Sequence, residues 1–316
     1  MQSWPLERKI QVSQTRILEF GLRYEGCVYV SFSGGKDSTV LLDLVRRVFP
    51  DTPAVFIDTG LEYPEVRQFA LAQPGVVVVK PELTFRQVIE KYGYPLISKS
   101  VSHFINIVQI HGWGCGSAKY LKGEAKREKG PSMFNCQKWA FLVDSGIRTS
   151  DMCCNIMKKK PAHKYEKETG RKPFVGTMAC ESNVRKTVWL SHGCNIFDGN
   201  KIKSAPMSFW TEQDVLEYLR RFKLPYAPVY GEIVEDSNGH LRTTGCDRTG
   251  CVFCGFGCHI EKEPNRFQRL KDSHPTLYRF CMRPWDQGGL GLKDVFDYIN
   301  KSVADAGGKP ITIKYE

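Results

Sequence analysis

The chain has 316 residues, 41% of them hydrophobic and 25% charged, which is the composition of a folded globular protein rather than a disordered or fibrous one. Lys and Arg number 45 against 34 Asp and Glu, and the net charge of +11 points to anionic partners (nucleotides, nucleic acid or acidic proteins) or to a solvated basic surface. No apolar stretch approaches membrane-spanning length, and residues 1–16 lack the apolar core of a signal peptide, so no membrane partner and a cytoplasmic location are expected.

Residues 4–24 carry apolar side chains at helical spacing and predict an amphipathic helix. A strand follows at 28–32, then Ser31-Phe-Ser-Gly-Gly-Lys-Asp-Ser38, then a helical pattern over 38–48. This strand–glycine loop–helix unit presents backbone N–H groups at a helix N-terminus, where an anion is stabilised. Ser31, Ser33, Gly34, Gly35, Lys36, Asp37 and Ser38 are therefore candidate binding residues for a phosphate-bearing ligand. Asp37 directly follows Lys36, so the loop lacks the G-x-x-x-x-G-K-[ST] spacing. The alternative is an ordinary strand–helix turn with two glycines.

A strand at 54–58, a helix at 63–72 and a strand at 76–79 continue the alternation. That order predicts an α/β fold, a parallel sheet with helices on both faces. Such sheets bind ligands at the carboxyl ends of their strands, where the glycine loop sits. Asp58, Thr59 and Gly60 end the second strand at the same edge and are placed to meet a nucleoside; a strand-end turn and helix cap is the alternative. Residues 93–136 are glycine-rich and basic and read as an irregular insertion, with Lys119, Lys122, Lys126, Arg127 and Lys129 in one loop or lid. Two glutamates in that loop also allow a plain solvated face. A strand at 174–177, carrying Gly176, restores regular structure. Thr211 then caps a helix with acidic residues in its first turn and Arg220-Arg221 in its last, and the flanking aromatics read as core. The expected organisation is an N-terminal helix at 1–25, a nucleotide-binding domain at 26–235 with the basic insertion at about 93–136, and a C-terminal cysteine-rich and helical region at 236–316.

Twelve cysteines are many for a compartment that disfavours disulfides, so their spacing decides their meaning. Two clusters stand out, Cys153-Cys154-Asn-Ile-Met-Lys158 and Cys246-Asp-Arg-Thr-Gly-Cys251-Val-Phe-Cys254-Gly-Phe-Gly-Cys258-His259. A C-x-x-C turn brings two thiolates onto one ion or cluster. Cys246, Cys251, Cys254 and Cys258 alone could hold zinc, and buried unmetallated thiols are a third reading. Cys27, Cys115, Cys136, Cys180, Cys194 and Cys281 show no ligand spacing and read as small buried residues. The seven histidines form no metal motif, and only His259 adjoins a cluster.

Ser33-Gly-Gly-Lys-Asp-Ser38 resembles the pyrophosphate loop of the adenine-nucleotide α-hydrolase (PP-loop) superfamily. Asp58-Thr59-Gly60 with Pro64-Glu65, and the segment from Ala179 to Arg185, are similar to stretches of the phosphoadenylyl-sulfate (PAPS) reductase family. The tandem Cys153-Cys154 with the distant Cys251 and Cys254 resembles the pattern by which adenylyl-sulfate reductases hold a 4Fe–4S cluster. Lys158 and Pro161 match family positions, whereas Met157 replaces a family arginine. The resemblance covers about 26–93 and 151–259. It implies a parallel-sheet PP-loop domain with a cysteine-rich iron–sulfur region. It implies ATP or adenylyl-sulfate with Mg²⁺ in the loop, and a 4Fe–4S cluster on Cys153, Cys154, Cys251 and Cys254, with zinc as the alternative metal. The implied nucleotide contacts extend from the loop to Asp58, Thr59, Gly60, Gly176 and Arg185. Lys36, Asp37, Lys158 and Arg185 would carry the chemistry: Lys36 on departing pyrophosphate, Asp37 on Mg²⁺ through water or as a helix cap, Arg185 on the α-phosphate, and Lys158 near cluster and phosphates.

Two departures bear on the activity. The chain ends Ile311-Thr-Ile-Lys-Tyr-Glu316, without the Glu-Cys-Gly-Leu-His of sulfonucleotide reductases. Its loop keeps Lys36 and Asp37, as in ATP sulfurylase small subunits, tRNA thiolases and DNA-phosphorothioation ATP pyrophosphatases, rather than the degenerate loop of the reductases. The resemblance therefore implies an AMP-forming ATP pyrophosphatase of a sulfur-transfer pathway. The alternatives are an adenylyl-sulfate or PAPS reductase using Cys258 or Cys281, and a non-catalytic nucleotide-binding subunit. The implied partners are an adenine nucleotide, a sulfur donor such as a cysteine desulfurase or thioredoxin, and nucleic acid as a candidate acceptor.

Overall fold

The structure is a computed structural model that describes residues 1–128, 130–199, 202–305 and 313–315. Lys129 of the basic stretch lies outside the described residues, as do Ile311, Thr312 and Glu316. In chain order the helices are α1 (Leu6–Arg23), α2 (Lys36–Arg46), α3 (Pro64–Leu71), α4 (Phe85–Tyr92), α5 (Lys99–His111), α6 (Ala118–Lys122), α7 (Lys160–Thr169), α8 (Asn183–His192), α9 (Glu212–Phe222), α10 (Arg266–Ser273), α11 (Pro275–Met282) and α12 (Leu292–Asp305). The strands are β1 (Val28–Phe32), β2 (Ala54–Ile57), β3 (Val76–Val79), β4 (Leu96–Ile97), β5 (Lys126–Arg127), β6 (Gly130–Pro131), β7 (Lys172–Val175), β8 (Asn195–Ile196), β9 (Lys203–Ser204), β10 (Ile233–Glu235), β11 (Leu241–Thr243) and β12 (Gly255–Phe256). The chain divides into two compact units, Met1–Pro81 with Lys160–Thr249, and Glu82–Lys159 with Gly250–Glu316.

The first unit is built on a six-stranded sheet in the order β3-β2-β1-β7-β9-β8, parallel except for the β8–β9 pair. This is the α/β architecture that the strand–helix alternation predicts. Val30 of β1 registers with Ala54 on one side and Phe174 on the other. All three are fully buried, as a strand covered on both faces requires. Leu41, Leu44 and Val45 of α2 pack into the same core, and Phe20 of α1 meets Phe174 edge-on at 5.3 Å. Trp210 is also fully buried, and its indole N–H donates to Ser13 Oγ at 2.9 Å, so its one polar atom is satisfied. Lys9 Nζ and Asp214 Oδ2 form a buried ion pair at 2.6 Å between α1 and α9. The same Asp214 carboxylate accepts from Thr211 N–H and O–H in the capping box of α9.

Strand order runs away from β1 in both directions, so its carboxyl end is a topological switch point. The chain leaves that point through Ser33, Gly34 and Gly35. Gly35 is extended (φ −81°, ψ 158°) and takes the cap position, so α2 starts at Lys36, two residues before the apolar pattern suggests. Lys36 and Asp37 thereby fall in the first helical turn.

In the second unit β4 pairs with β12 in parallel, Leu96 against Gly255 and Ile97 against Phe256. A Cβ on Gly255 would lie 2.5 Å from Pro95 O, so only glycine allows that pairing. The region 93–136, expected to be irregular, contains β4, the thirteen-residue α5, α6 and the β5–β6 pair. Ser98 Oγ caps α5 by accepting from Val101 N, and Val101, Ile105 and Val108 are buried at helical spacing. The surrounding glycines conceal that period in the sequence. Further along, Asn265 and Gln268 form a capping box on α10, and Phe267 packs edge-on against Phe296 of α12 at 5.0 Å. Among the described residues no helix is long and apolar enough to cross a membrane.

Candidate functional site

The turn after β1 is stapled by its own hydroxyls. Ser33 N donates to Ser38 Oγ at 3.2 Å, Gly35 N to Ser33 Oγ at 3.3 Å, and Ser38 Oγ to Gly35 O at 2.8 Å. Thr39 Oγ1 donates to the same Gly35 carbonyl at 3.1 Å. Gly34 has φ +73°, and a Cβ there would come 2.8 Å from Val66 O, so a side chain is excluded twice over. Gly176, just past β7, lies against the first turn of α2, where a Cβ would meet Asp37 O at 3.4 Å, an ordinary contact distance.

Lys36 is only 4% exposed. Its Nζ donates to Asp247 O at 2.9 Å and pairs with Glu212 Oε1 at 3.0 Å. Its backbone N–H donates to Tyr230 OH at 3.4 Å, and that hydroxyl lies 2.6 Å from Thr249 Oγ1. The segment from Asp247 to Thr249 thus lies as a strap on the loop. Asp37 faces the same space. Burial pushes its carboxyl above the ordinary range while Lys36, Arg248 and Arg185 pull it down, and its Oδ1 has no hydrogen-bond partner. Glu181 holds both Arg185 and Arg248 through one carboxylate. Burial, and then the neighbouring Arg248, lowers the Arg185 pKa. A cavity of about 180 Å³ opens beside Arg185, walled in part by Met178, Val184, Val188 and Trp189.

Three cations (Lys36, Arg185 and Arg248) therefore gather at the N-terminus of α2, each held by a carboxylate. An incoming polyanion can replace those carboxylates. Sequence reasoning found Lys36 and Arg185 but missed Arg248, which stood out only as filler between two cysteines. Tyr230 was read as core; it is buried, and its hydroxyl reaches the loop.

The other expected nucleotide contacts lie at neighbouring strand ends. Ser31 is a ladder residue of β1, registered with Val55 and Val175. Asp58 directly follows β2 and accepts two hydrogen bonds from Arg67, each 2.8 Å, which hold its carboxyl below the ordinary range. Thr59 Oγ1 donates to Glu62 Oε1 at 2.7 Å and accepts from Leu61 N, and Gly60 turns the chain at φ +70°. In this structure the Asp58 and Thr59 side chains are engaged by their own turn and helix.

Cys153, Cys154, Cys251 and Cys254 all belong to the second unit. Cys153 and Cys154 have their sulfurs 3.9 Å apart. The Cys154 thiol is drawn down to about 6 by the hydrogen bond from Cys153, with the cations Lys99 and Lys158 adding to it. Cys153 is pushed up by that same hydrogen bond, by burial and by the charges of Cys154, Cys254 and Cys251, so all four thiols lie within one another's field. Cys254 N donates to Cys251 O at 3.1 Å, closing the C-x-x-C turn, and Arg266 Nη1 donates to Cys254 O at 2.9 Å. A π-helical turn, Asn155–Lys159, follows the tandem cysteines directly, carries Lys158, and is a form of helix frequent at functional sites. Among the described residues no three His, Cys, Asp or Glu side chains close in as the ligands of one metal ion would. Cys258 is buried with its sulfur 3.1 Å from Gly255 O and its thiol pushed up to about 12, and Cys246 belongs to the first unit. Lys99 was missed in the sequence because it falls in the region read as irregular.

The model of the phosphoadenosine phosphosulfate reductase domain matches residues 27–105 and 120–256, leaving only 106–119 unmatched within the former insertion. An uncharacterized protein of Methanocaldococcus jannaschii is 24% identical over 264 residues, 81% of this chain and 48% of the relative. The chain thus spans about half the length of that relative. An adenosine 5′-phosphosulfate reductase of Staphylococcus haemolyticus is 24% identical over 271 residues, 78% of this chain and 87% of the relative. A crystal structure of phosphoadenylyl-sulfate reductase from Candida auris aligns at 16% identity with a TM-score of 0.39, over 74% of this chain and 95% of that one.

Proposed function

The chain belongs to the phosphoadenosine phosphosulfate reductase family, and on that premise we propose that it binds ATP at the loop 33–38 and releases pyrophosphate from it in a sulfur-transfer reaction. The observation that carries this reading is the convergence of Lys36, Arg185 and Arg248 on the α2 N-terminus, a concentration of positive charge suited to a triphosphate. An acceptor oxygen attacks the α-phosphorus, the bond to the bridging oxygen breaks, and pyrophosphate leaves with the electron pair. The loop amides and Lys36 stabilise the charge on the leaving group, and Arg185 with Arg248 holds the α-phosphate. Asp37, whose Oδ1 accepts no hydrogen bond and lies 3.9 Å from Lys36 Nζ, would hold Mg²⁺ through water. Asp58, Thr59, Gly60 and Gly176 would shape the nucleoside end of the site. A sulfur nucleophile then displaces AMP from the adenylylated acceptor.

Cys153, Cys154, Cys251 and Cys254 would hold a 4Fe–4S cluster, and Lys99 and Lys158 would compensate its negative charge. Such a cluster supplies electron transfer or a structural cross-link. A cysteine desulfurase would supply sulfur in this scheme.

A second reading, reduction of adenylyl-sulfate with thioredoxin as donor, is favoured by the Staphylococcus haemolyticus relative named as such a reductase. Purified protein incubated with α-labelled ATP separates the two. AMP and pyrophosphate formation supports the first; sulfite released from adenylyl-sulfate with a thiol donor, and no ATP turnover, replaces it with the second. Nucleotide binding without either product marks a non-catalytic subunit.

A further inference from the structure

The second unit carries a surface that the nucleotide chemistry leaves unused. A cavity of about 340 Å³ lies between the start of α5 and the segment 133–139, walled by Ser98, Val101, Phe134, Asn135, Lys138 and Trp139 among others. At about 30 Å³ per water it has room for roughly ten, more than a planar heterocycle needs. Apolar side chains stand exposed at its mouth: Met133 is 78% exposed and Phe134 54%. Exposed cations surround them, namely Lys119, Lys122, Lys126, Arg127 and Lys138, against Glu124 and Glu128. Tyr120 and Phe104 stack face to face at 4.2 Å beneath Lys119, whose Nζ lies 5.4 Å from the Tyr120 ring.

Two polar atoms here lack partners. Asn135 Nδ2 donates to Gly123 O at 3.0 Å and Ala125 O at 3.1 Å, which fixes the amide and leaves its buried Oδ1 with no donor. His259 packs its ring against Trp139 at 5.3 Å, and its buried Nδ1 also has no partner. Buried polar atoms are nearly always satisfied, so an unmet acceptor in the wall of a cavity points to a ligand N–H.

We propose that this face binds single-stranded nucleic acid, with phosphates on the exposed cations and a base stacked on Phe134 at the cavity mouth. The exposed Phe134 ring beside exposed cations favours nucleic acid over an acidic protein, because a flat ring rewards stacking and a carboxylate does not. A duplex keeps its base faces covered and could use only the charges. The assignment does not depend on the proposed ATP chemistry.

The test uses the full chain and fluorescence anisotropy with a labelled single strand of about 16 nucleotides, without ATP. Binding should weaken steeply as salt rises from about 50 to about 200 mM. Phe134→Ala should weaken it about fivefold to hundredfold, the range of one lost stack. Lys126→Ala with Arg127→Ala should weaken binding to every sequence alike and flatten the salt slope by roughly one to two. All three residues are exposed, and circular dichroism checks that the variants stay folded. No binding at low salt, binding indifferent to both variants, tighter binding of the matching duplex, or equal affinity for a poly-glutamate peptide would each overturn the assignment.

Discussion

Replacing Lys36 with alanine separates the loop's chemistry from its contribution to the fold. Its ammonium is buried, held by Asp247 O at 2.9 Å and Glu212 Oε1 at 3.0 Å. Glu212 has half of its side chain exposed, so water takes over when Lys36 is removed, and the freed carbonyl costs about 1 kcal/mol of stability. In the reaction, the lost charge would face developing negative charge on pyrophosphate in a site shielded from water. Loss of one such preorganised group costs about 3 kcal/mol, which is roughly a hundredfold in rate. Turnover should therefore collapse while folding changes little. Iron content should also hold, because the cysteines belong to the other compact unit. The assay is pyrophosphate release at saturating ATP, beside a thermal melt and an iron determination on the same preparation. A kcat within about threefold of the unmodified protein, with ATP still bound, would remove Lys36 from the mechanism and the pyrophosphatase reading with it.

Three further outcomes are expected. Asp37→Asn should raise the melting temperature near neutral pH while lowering activity. Burial lifts the folded Asp37 pKa above its unfolded value, so its contribution is favourable at low pH and is lost as pH rises through the folded value. Melts across the acidic to neutral range should show the variant's advantage growing with pH, and an advantage confined to low pH would contradict that sign. Lys9→Met should lower stability by about 3 kcal/mol in chemical denaturation, because it leaves the Asp214 carboxylate buried and unpaired; a loss below about 1 kcal/mol would mean that Thr211 alone suffices to hold it. Anaerobically purified protein should be brown with about four iron atoms per chain, and Cys251→Ser should lose most of them. Zinc without acid-labile sulfide would refute the cluster.

The glycine loop was legible because its chemistry is local. A strand, two glycines, a lysine and a helix start within ten residues leave the backbone few alternatives, and Gly34 at φ +73° is the kind of position that only glycine serves well. The parallel sheet was legible for a similar reason, since continuous apolar strands such as Val28–Phe32 alternate with amphipathic helices. The Cys251–Cys254 turn announced itself by spacing. In contrast, α5 was missed because Gly93, Gly112, Gly114 and Gly116 crowd its ends, and composition outweighed the spacing of Val101, Ile105 and Val108.

Local pattern in the chain thus determined which segments become the strands around β1, where the glycine turn at the start of α2 lies, and which cysteines have ligand spacing. Only tertiary structure placed Arg248 over the loop, some 210 residues after Lys36, and put Lys99 beside Cys154. The reason is physical. A turn or helix is set by neighbours a few residues apart, whereas the field at a charged site is the sum over whatever the folded chain brings within a few ångströms, and sequence distance does not enter that sum.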